Sequence, residues 1–422
     1  MPLAARVMLT QNEVASQPLS AAMGPNRRVL ATRRSCVSLS GSMKTSPRSS
    51  VLIDLAAIRS NVAHLSSLLR PGTRMLVAVK ADGYGHGTLP VARSAVAAGA
   101  HGVAVATAEE AVALRDAGFD SLVLVMGPLY SLDQYEEMAN RHVDFAVVSD
   151  HMAEVLPQLR GTGLHARVHL KIDSGMNRQG LYPSAVGAFL ESIRGIPEIE
   201  LAGVMTHFAC VTEDPGTIDM QLERFLPAVE QVRREWPRIT AHAANSAATV
   251  YAPHSHLDMV RCGCAVYGLS PWQQDALAEG LQPALSWRSQ VVLVKRVGAG
   301  EGVGYGHTFR ADTPTDVALV PIGYGDGVFR TLGNCAHVLI NGRRYSLVGR
   351  ISMDSFGVDV GTDGRVQVGD TVTLIGADGD ERITVEEIAQ CVGTINYEIT
   401  CDIALDRSER LFLNGEPEND AG

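Results

Sequence analysis

The chain has 422 residues, 46% of them hydrophobic, and a formal net charge of −10. That length implies two or three domains, the apolar fraction suffices for a large core, and the acidic balance argues against a nucleic-acid or anionic-membrane surface. No apolar run reaches the roughly 18 residues that a spanning helix needs. The seven cysteines are odd in number and scattered, so they read as reduced thiols of a cytoplasmic protein rather than a disulfide framework. Cys262 and Cys264 lack a second Cys/His pair at zinc-ligand spacing, and no metal is expected.

Residues 1–50 carry Arg6, Arg27, Arg28, Arg33, Arg34, Lys44 and Arg48 against a single acid, Glu13. With no apolar stretch they are not a secretory signal. They read as a disordered extension ahead of a start at Met43, with a transit peptide as the rival reading. From Val51 short apolar runs alternate with amphipathic stretches. Strands are predicted at Met75–Val79, Val103–Ala106, Leu122–Met126, Phe145–Val148, Arg167–Ile172, Leu201–Thr206, Ala241–Ala244 and Met259–Cys262. Helices are predicted at Leu89–Ala98 and Ala108–Ala117, the latter opened by a capping box of Thr107 and Glu110. This alternation predicts an α/β fold, an N-terminal (β/α)8 barrel over 51–275. After about Ser270 the runs Val291–Val297, Val317–Ile322, Ala336–Ile340, Tyr345–Val348, Phe356–Val360 and Thr371–Ile375 are β-branched and separated by Gly, Asp and Asn. They predict a C-terminal all-β domain over 276–410, followed by a tail at 411–422.

The polar motifs fall at the C-terminal ends of the barrel strands, where barrel active sites lie. In Val79-Lys80-Ala81-Asp82-Gly83-Tyr84-Gly85-His86-Gly87, a lysine ends an apolar strand and meets a glycine-rich turn. Desolvation disfavours its charge, and a Schiff base removes that charge. Gly304-Tyr305-Gly306 presents a phenol from a loop of the β-domain. His207 and Arg261 end further strands, and Asn245-Ser246 begins a helix-like stretch with an N-cap at Ser246.

The lysine string resembles the attachment motif of the alanine racemases, barrel-type pyridoxal-phosphate (PLP) enzymes, and the resemblance runs to about Arg407. It implies a head-to-tail homodimer in which Lys80 carries PLP. Lys80 and Tyr305 of the partner subunit then act as catalytic bases on opposite faces of the cofactor. It further implies that Tyr84, Asn245, Ser246 and the backbone of Gly263 and Cys264 hold the cofactor. Arg261 meets the ring nitrogen, oriented by His242, while His207 links it to the catalytic phenol. Arg178 and Met353 bind the substrate carboxylate, a carbamylated Lys171 pairs with Arg178, and Asp354 positions neighbours of the phenol. Tyr324, Arg330 and Tyr397 narrow the entrance. The implied reaction interconverts L- and D-alanine, supplying D-alanine for peptidoglycan. The rival readings are a broader or serine racemase, a D-cycloserine-tolerance protein, a decarboxylase of the same fold, which Arg261 opposes, and a PLP carrier, which Tyr305 opposes.

Overall fold

The computed structural model describes residues 48–414; the extension up to residue 47 and the tail from 415 lie outside the described residues. Strand β1 (Ser49–Asp54) leads into the helix Leu55–Ser67, whose first turn is capped by the Asp54 carboxylate, accepting from the amides of Ala56 and Ala57. Eight parallel strands then close a barrel: β2 (Arg74–Ala78), β3 (Gly102–Val105), β4 (Leu122–Val125), β5 (Asp144–Val147), β6 (Ala166–Lys171), β7 (Ile199–Met205), β8 (Thr240–His242) and β9 (Met259–Cys262). β9 returns to pair with β2. Barrel strands are covered by helices outside and side chains inside, so they read as unbroken apolar runs; β3 and β5 are buried at every residue. Hydroxyl side chains stop the strand pattern and start the helices. Thr107 and Glu110 form the capping box of Ala108–Asp116, Ser131 caps Leu132–Asn140, and Ser149 caps Asp150–Val155.

Leu76, Ala104, Leu124 and Met259, from β2, β3, β4 and β9, form a small apolar cluster of their own. Elsewhere in the barrel, β6, β8 and β9 bury His169, Lys171, His242 and Arg261.

The second region is a ten-stranded sheet. Its members after the barrel are β10 (Leu285–Gln290), β11 (Leu293–Val297), β14 (Thr315–Val320), β15 (His337–Ile340), β16 (Arg343–Val348), β17 (Phe356–Gly361), β18 (Thr371–Asp378), β19 (Glu381–Ile383) and β20 (Glu409–Leu413), while β12 (Gly302–Val303) and β13 (Phe309–Arg310) make a separate ribbon. The order is β11-β14-β17-β16-β15-β18-β10-β1-β20, with β19 on β18. β1 pairs antiparallel with β10 and parallel with β20. Two short helices, Val385–Val392 and Asn396–Cys401, accompany this sheet.

The expectation of reduced thiols is corrected at one pair. The helix Val385–Val392 packs against the turn Arg330–Leu332, bringing Cys391 to Cys335 with their Cα atoms 6.1 Å apart in a disulfide. Cys210, Cys262, Cys264 and Cys401 are free.

Candidate active site

β2 delivers the chain to Lys80, and the next residues turn left-handed. Ala81, Asp82 and Tyr84 have φ of 52°, 50° and 54°, a conformation costing about 1–2 kcal/mol for each residue with a Cβ. Backbone bonds hold it: Gly83 N–H to Val79 O (2.9 Å), Gly85 N–H to Ala81 O (3.1 Å) and Gly87 N–H to Asp82 O (2.7 Å). One Glu110 oxygen accepts from the Ala81 amide at 2.7 Å and the other from the Ala106 amide at 2.7 Å. Arg410 pairs with the Asp82 carboxylate. This turn fixes where Lys80 projects. Burial, followed by the Arg178 charge, lowers the Lys80 pKa against the opposing pull of Glu110.

Lys80 lines a cavity of about 870 Å³ together with Tyr84, His207, Asn245, Ser246, Arg261, Gly263, Cys264 and Tyr397, a volume suited to a small cofactor. The helix cap expected at Ser246 falls one residue earlier, because Asn245 accepts from the Ala248 amide (3.0 Å). That leaves the Ser246 hydroxyl for other work, and it accepts from the Gly263 amide at 2.8 Å. A Cβ on Gly263 would lie 2.5 Å from the Tyr84 hydroxyl oxygen, so only glycine lets the phenol approach this backbone. Burial pushes the Tyr84 pKa far up, which keeps its proton available as a donor. The Tyr84 ring packs on Tyr267 (4.9 Å between centroids) and edge-on to Tyr397 (6.2 Å).

Arg261 is buried, and its partners among the described residues are carbonyls and imidazoles. Nη1 donates to His242 Nδ1 and to the His242 carbonyl (both 3.0 Å). Nη2 donates to the carbonyls of Thr206 (2.6 Å) and Ala243 (3.0 Å) and to His207 Nδ1 (3.3 Å). The remaining donor, Nε–H, has no acceptor among the described residues, and Arg261 lines the cavity. Arginine can only donate, so this group meets an acceptor such as an unprotonated ring nitrogen. Burial lowers the Arg261 pKa to about 10. His207, pushed well below its ordinary pKa by burial and by Arg261, is neutral. Accepting at Nδ1, it carries its proton on Nε2.

Lys171 is buried, and its amine donates to Gln179 Oε1 at 2.9 Å rather than contacting Arg178. Burial, then Arg261 and Arg178, bring its pKa down to about 8. Lys80, Lys171, Arg178 and Arg261 make the surroundings cationic, which suits a ligand carrying phosphate and carboxylate. PLP fits this set on three counts: a depressed lysine, a free guanidinium donor, and a hydroxyl-lined end.

Eight of the residues singled out by sequence do not line this cavity: Lys171 and His242 are buried, Arg178 is exposed, and the other five lie on the β-domain. Tyr305 is 70% exposed, Met353 52% and Tyr324 44%. Arg330 is also exposed, and exposed Asp354 accepts from Arg407 at 2.5 Å rather than from a neighbour of Tyr305. Glu110, Gln179, Gln273 and Glu398 escaped the sequence reading as site residues. The capping-box signal located Glu110 but not its second contact, with the lysine turn.

Residues 53–271 match the family model for the alanine racemase N-terminal domain, and residues 284–412 the model for the alanine racemase C-terminal domain. An alanine racemase of Symbiobacterium thermophilum is 41% identical over 368 residues, covering 86% of this chain and 96% of that protein. One of Mycobacterium avium is 41% identical over 357 residues, covering 82% and 91%. Among solved structures, the alanine racemase of Streptomyces coelicolor A3(2) superposes with a TM-score of 0.81 at 38% identity, over 87% of this chain and 98% of that one. That of Bacillus anthracis gives 0.80 at 37%, over 88% and 97%. With both domains matched and the lysine turn, cavity and barrel in place, the chain belongs to the alanine racemase family of PLP-dependent isomerases.

Proposed function

We propose that this protein interconverts L- and D-alanine in a homodimer whose two active sites are each completed by the other subunit. The observation that carries the reading is the pairing of a depressed Lys80 with the acceptor-less Nε–H of Arg261 in one cavity. Ser246, Tyr84 and the amides near Gly263 would hold the phosphate of PLP, Lys80 its aldehyde carbon, and Arg261 its ring nitrogen. When bound, PLP supplies the electron sink that acidifies the substrate α-proton. Arg261 keeps that sink modest, because a donor-only partner leaves the ring nitrogen unprotonated. Lys80 takes or returns the α-proton on one face. Tyr305 of the partner subunit serves the other face, and the His207 Nε2–H would stabilise its phenolate. Arg178 and the Met353 amide of the partner subunit bind the carboxylate. The exposure of Tyr305, Met353 and Tyr324 on the β-domain supports their delivery to a second copy, and Asp354 and Arg330 of the same domain are exposed as well. Tyr324, Arg330 and Tyr397 would narrow the approach, and Tyr305 of the partner subunit with Tyr397 would leave room for little more than a methyl side chain. The D-alanine made is a peptidoglycan building block, and we place the reaction in the cytoplasm, where such precursors are assembled.

The test is α-deuterium incorporation from each antipode in deuterated solvent. Wild-type protein should exchange both, and Tyr305→Phe should exchange D-alanine while losing exchange of L-alanine. Equal exchange of both antipodes by Tyr305→Phe would refute one base per face.

A further inference from the structure

We propose that Asp144 is the remote counter-ion of Arg261, acting through His169 and His242 as a positioning residue that aims the guanidinium into the cavity. The chain of contacts is continuous. Asp144 Oδ2 lies 3.3 Å from His169 Nε2, His169 Nδ1 lies 2.8 Å from His242 Nε2, and His242 Nδ1 lies 3.0 Å from Arg261 Nη1. All four side chains are buried.

Donor and acceptor chemistry fixes every proton in this line. Arg261 can only donate, so His242 Nδ1 accepts and its proton sits on Nε2. His169 Nδ1 must then accept from His242, which places the His169 proton on Nε2, facing an ionised Asp144. The buried cation at one end is thereby matched by a carboxylate at the other, through two neutral imidazoles of a single tautomer. Burial and the Arg261 charge hold His242 well below its ordinary pKa, consistent with the neutral form.

The barrel is built to admit this line. A Cβ on Gly203 of β7 would lie 2.3 Å from His169 Nδ1, and the β6–β7 register shifts between Val168 and His169. Asp144 also accepts from half-exposed Arg167 (3.1 Å), which in turn pairs with Glu200. A role confined to that ion pair is the competing explanation. The effect on catalysis rests on the proposed placement of Arg261 at the cofactor ring; the proton positions do not.

Neutron diffraction of the holoenzyme in deuterated solvent reads those positions directly. Deuterons are expected on Nε2 of His169 and His242, with Asp144 bare; a deuteron on Nδ1 of either histidine, or on Asp144, overturns the relay. Asp144→Asn keeps the shape and removes the charge. It should lower kcat by about 10-fold, the scale of one hydrogen bond to a charged group, with KM within about twofold and full cofactor content. Arg167→Gln should leave kcat unchanged. Wild-type kcat in Asp144→Asn, or an equal loss in Arg167→Gln, overturns the positioning role. If the native holoenzyme does not racemise alanine, the assigned reaction fails while the proton positions still decide the relay.

Discussion

Lys171 is buried against Arg261, Arg178 and Lys80, with Asp173 the one opposing carboxylate. Its pKa falls from 10.5 to about 8, so at pH 7 about a tenth of the chains carry a neutral amine there, about 300-fold more than for an ordinary lysine. A neutral amine adds to carbon dioxide, forming an N–C bond and releasing a proton, and the product is an anion. That anion would face Arg178 and Arg261 as a partner in place of a repelled cation. We therefore expect Lys171 to be carbamylated in bicarbonate. The same shift sets a stability difference. Between pH 8 and 10.5 the unfolded chain holds the Lys171 proton and the folded chain does not, so stability rises with pH across that window and the full penalty applies below it. The penalty is about 3 kcal/mol. Protein freed of carbon dioxide should gain that much in denaturant titrations as pH rises through the window, and protein in saturating bicarbonate should not. Carbon-13 NMR after labelling with 13C-bicarbonate should show one carbamate resonance, absent from Lys171→Ala. No such resonance at saturating bicarbonate, or the same resonance in the variant, would refute the reasoning.

Mixing Lys80→Ala with Tyr305→Phe should restore part of the activity once subunits exchange, because one site of each mixed dimer then holds both intact groups; no recovery despite proven exchange would count against shared sites. Borohydride treatment of the holoenzyme should fix the cofactor on the peptide containing Lys80, and label on any other lysine would remove that residue from its role. Gly263→Ala puts a methyl 2.5 Å from the Tyr84 oxygen, an overpacking of about 1–3 kcal/mol. It should weaken PLP binding roughly 10-fold in absorbance titrations, and unchanged affinity would show that Tyr84 yields freely.

The barrel was legible because most of its strands are largely buried apolar runs and several of its helices open on a Thr or Ser cap, and the strand edges fall within two residues of their predicted places. β10 was missed because polar residues alternate through Leu-Ser-Trp-Arg-Ser-Gln. The helix Asn396–Cys401 is too short for a periodic signal, although it carries Tyr397 to the cavity. Lys80, His207, Asn245, Ser246, Arg261, Gly263 and Cys264 were legible because they sit in motifs at or just past strand ends, whereas Gln273 and Glu398, which also line the cavity, were not. Contacts made only by folding were not: Gln179 under Lys171, Asp144 behind His169, and the Cys335–Cys391 bridge across 56 residues. Nothing local marks these partners, since their proximity comes from barrel closure and helix packing.

Strand β1 lies between β10 and β20, so the first and last described strands of the chain are neighbours in one sheet. A fragment beginning at residue 276 would contain β10 and β20 with a strand-wide gap between them. Each would expose an unpaired row of amides and carbonyls of the kind that recruits foreign strands. A fragment ending at 275 would strand β1 with no partner at all. Among the described strands β1 precedes the whole barrel in the chain, while both its sheet neighbours, β10 and β20, follow it, so this part of the sheet can close only once β20 has been made. Truncation of β20 should cripple the protein far more than its distance from the cavity suggests.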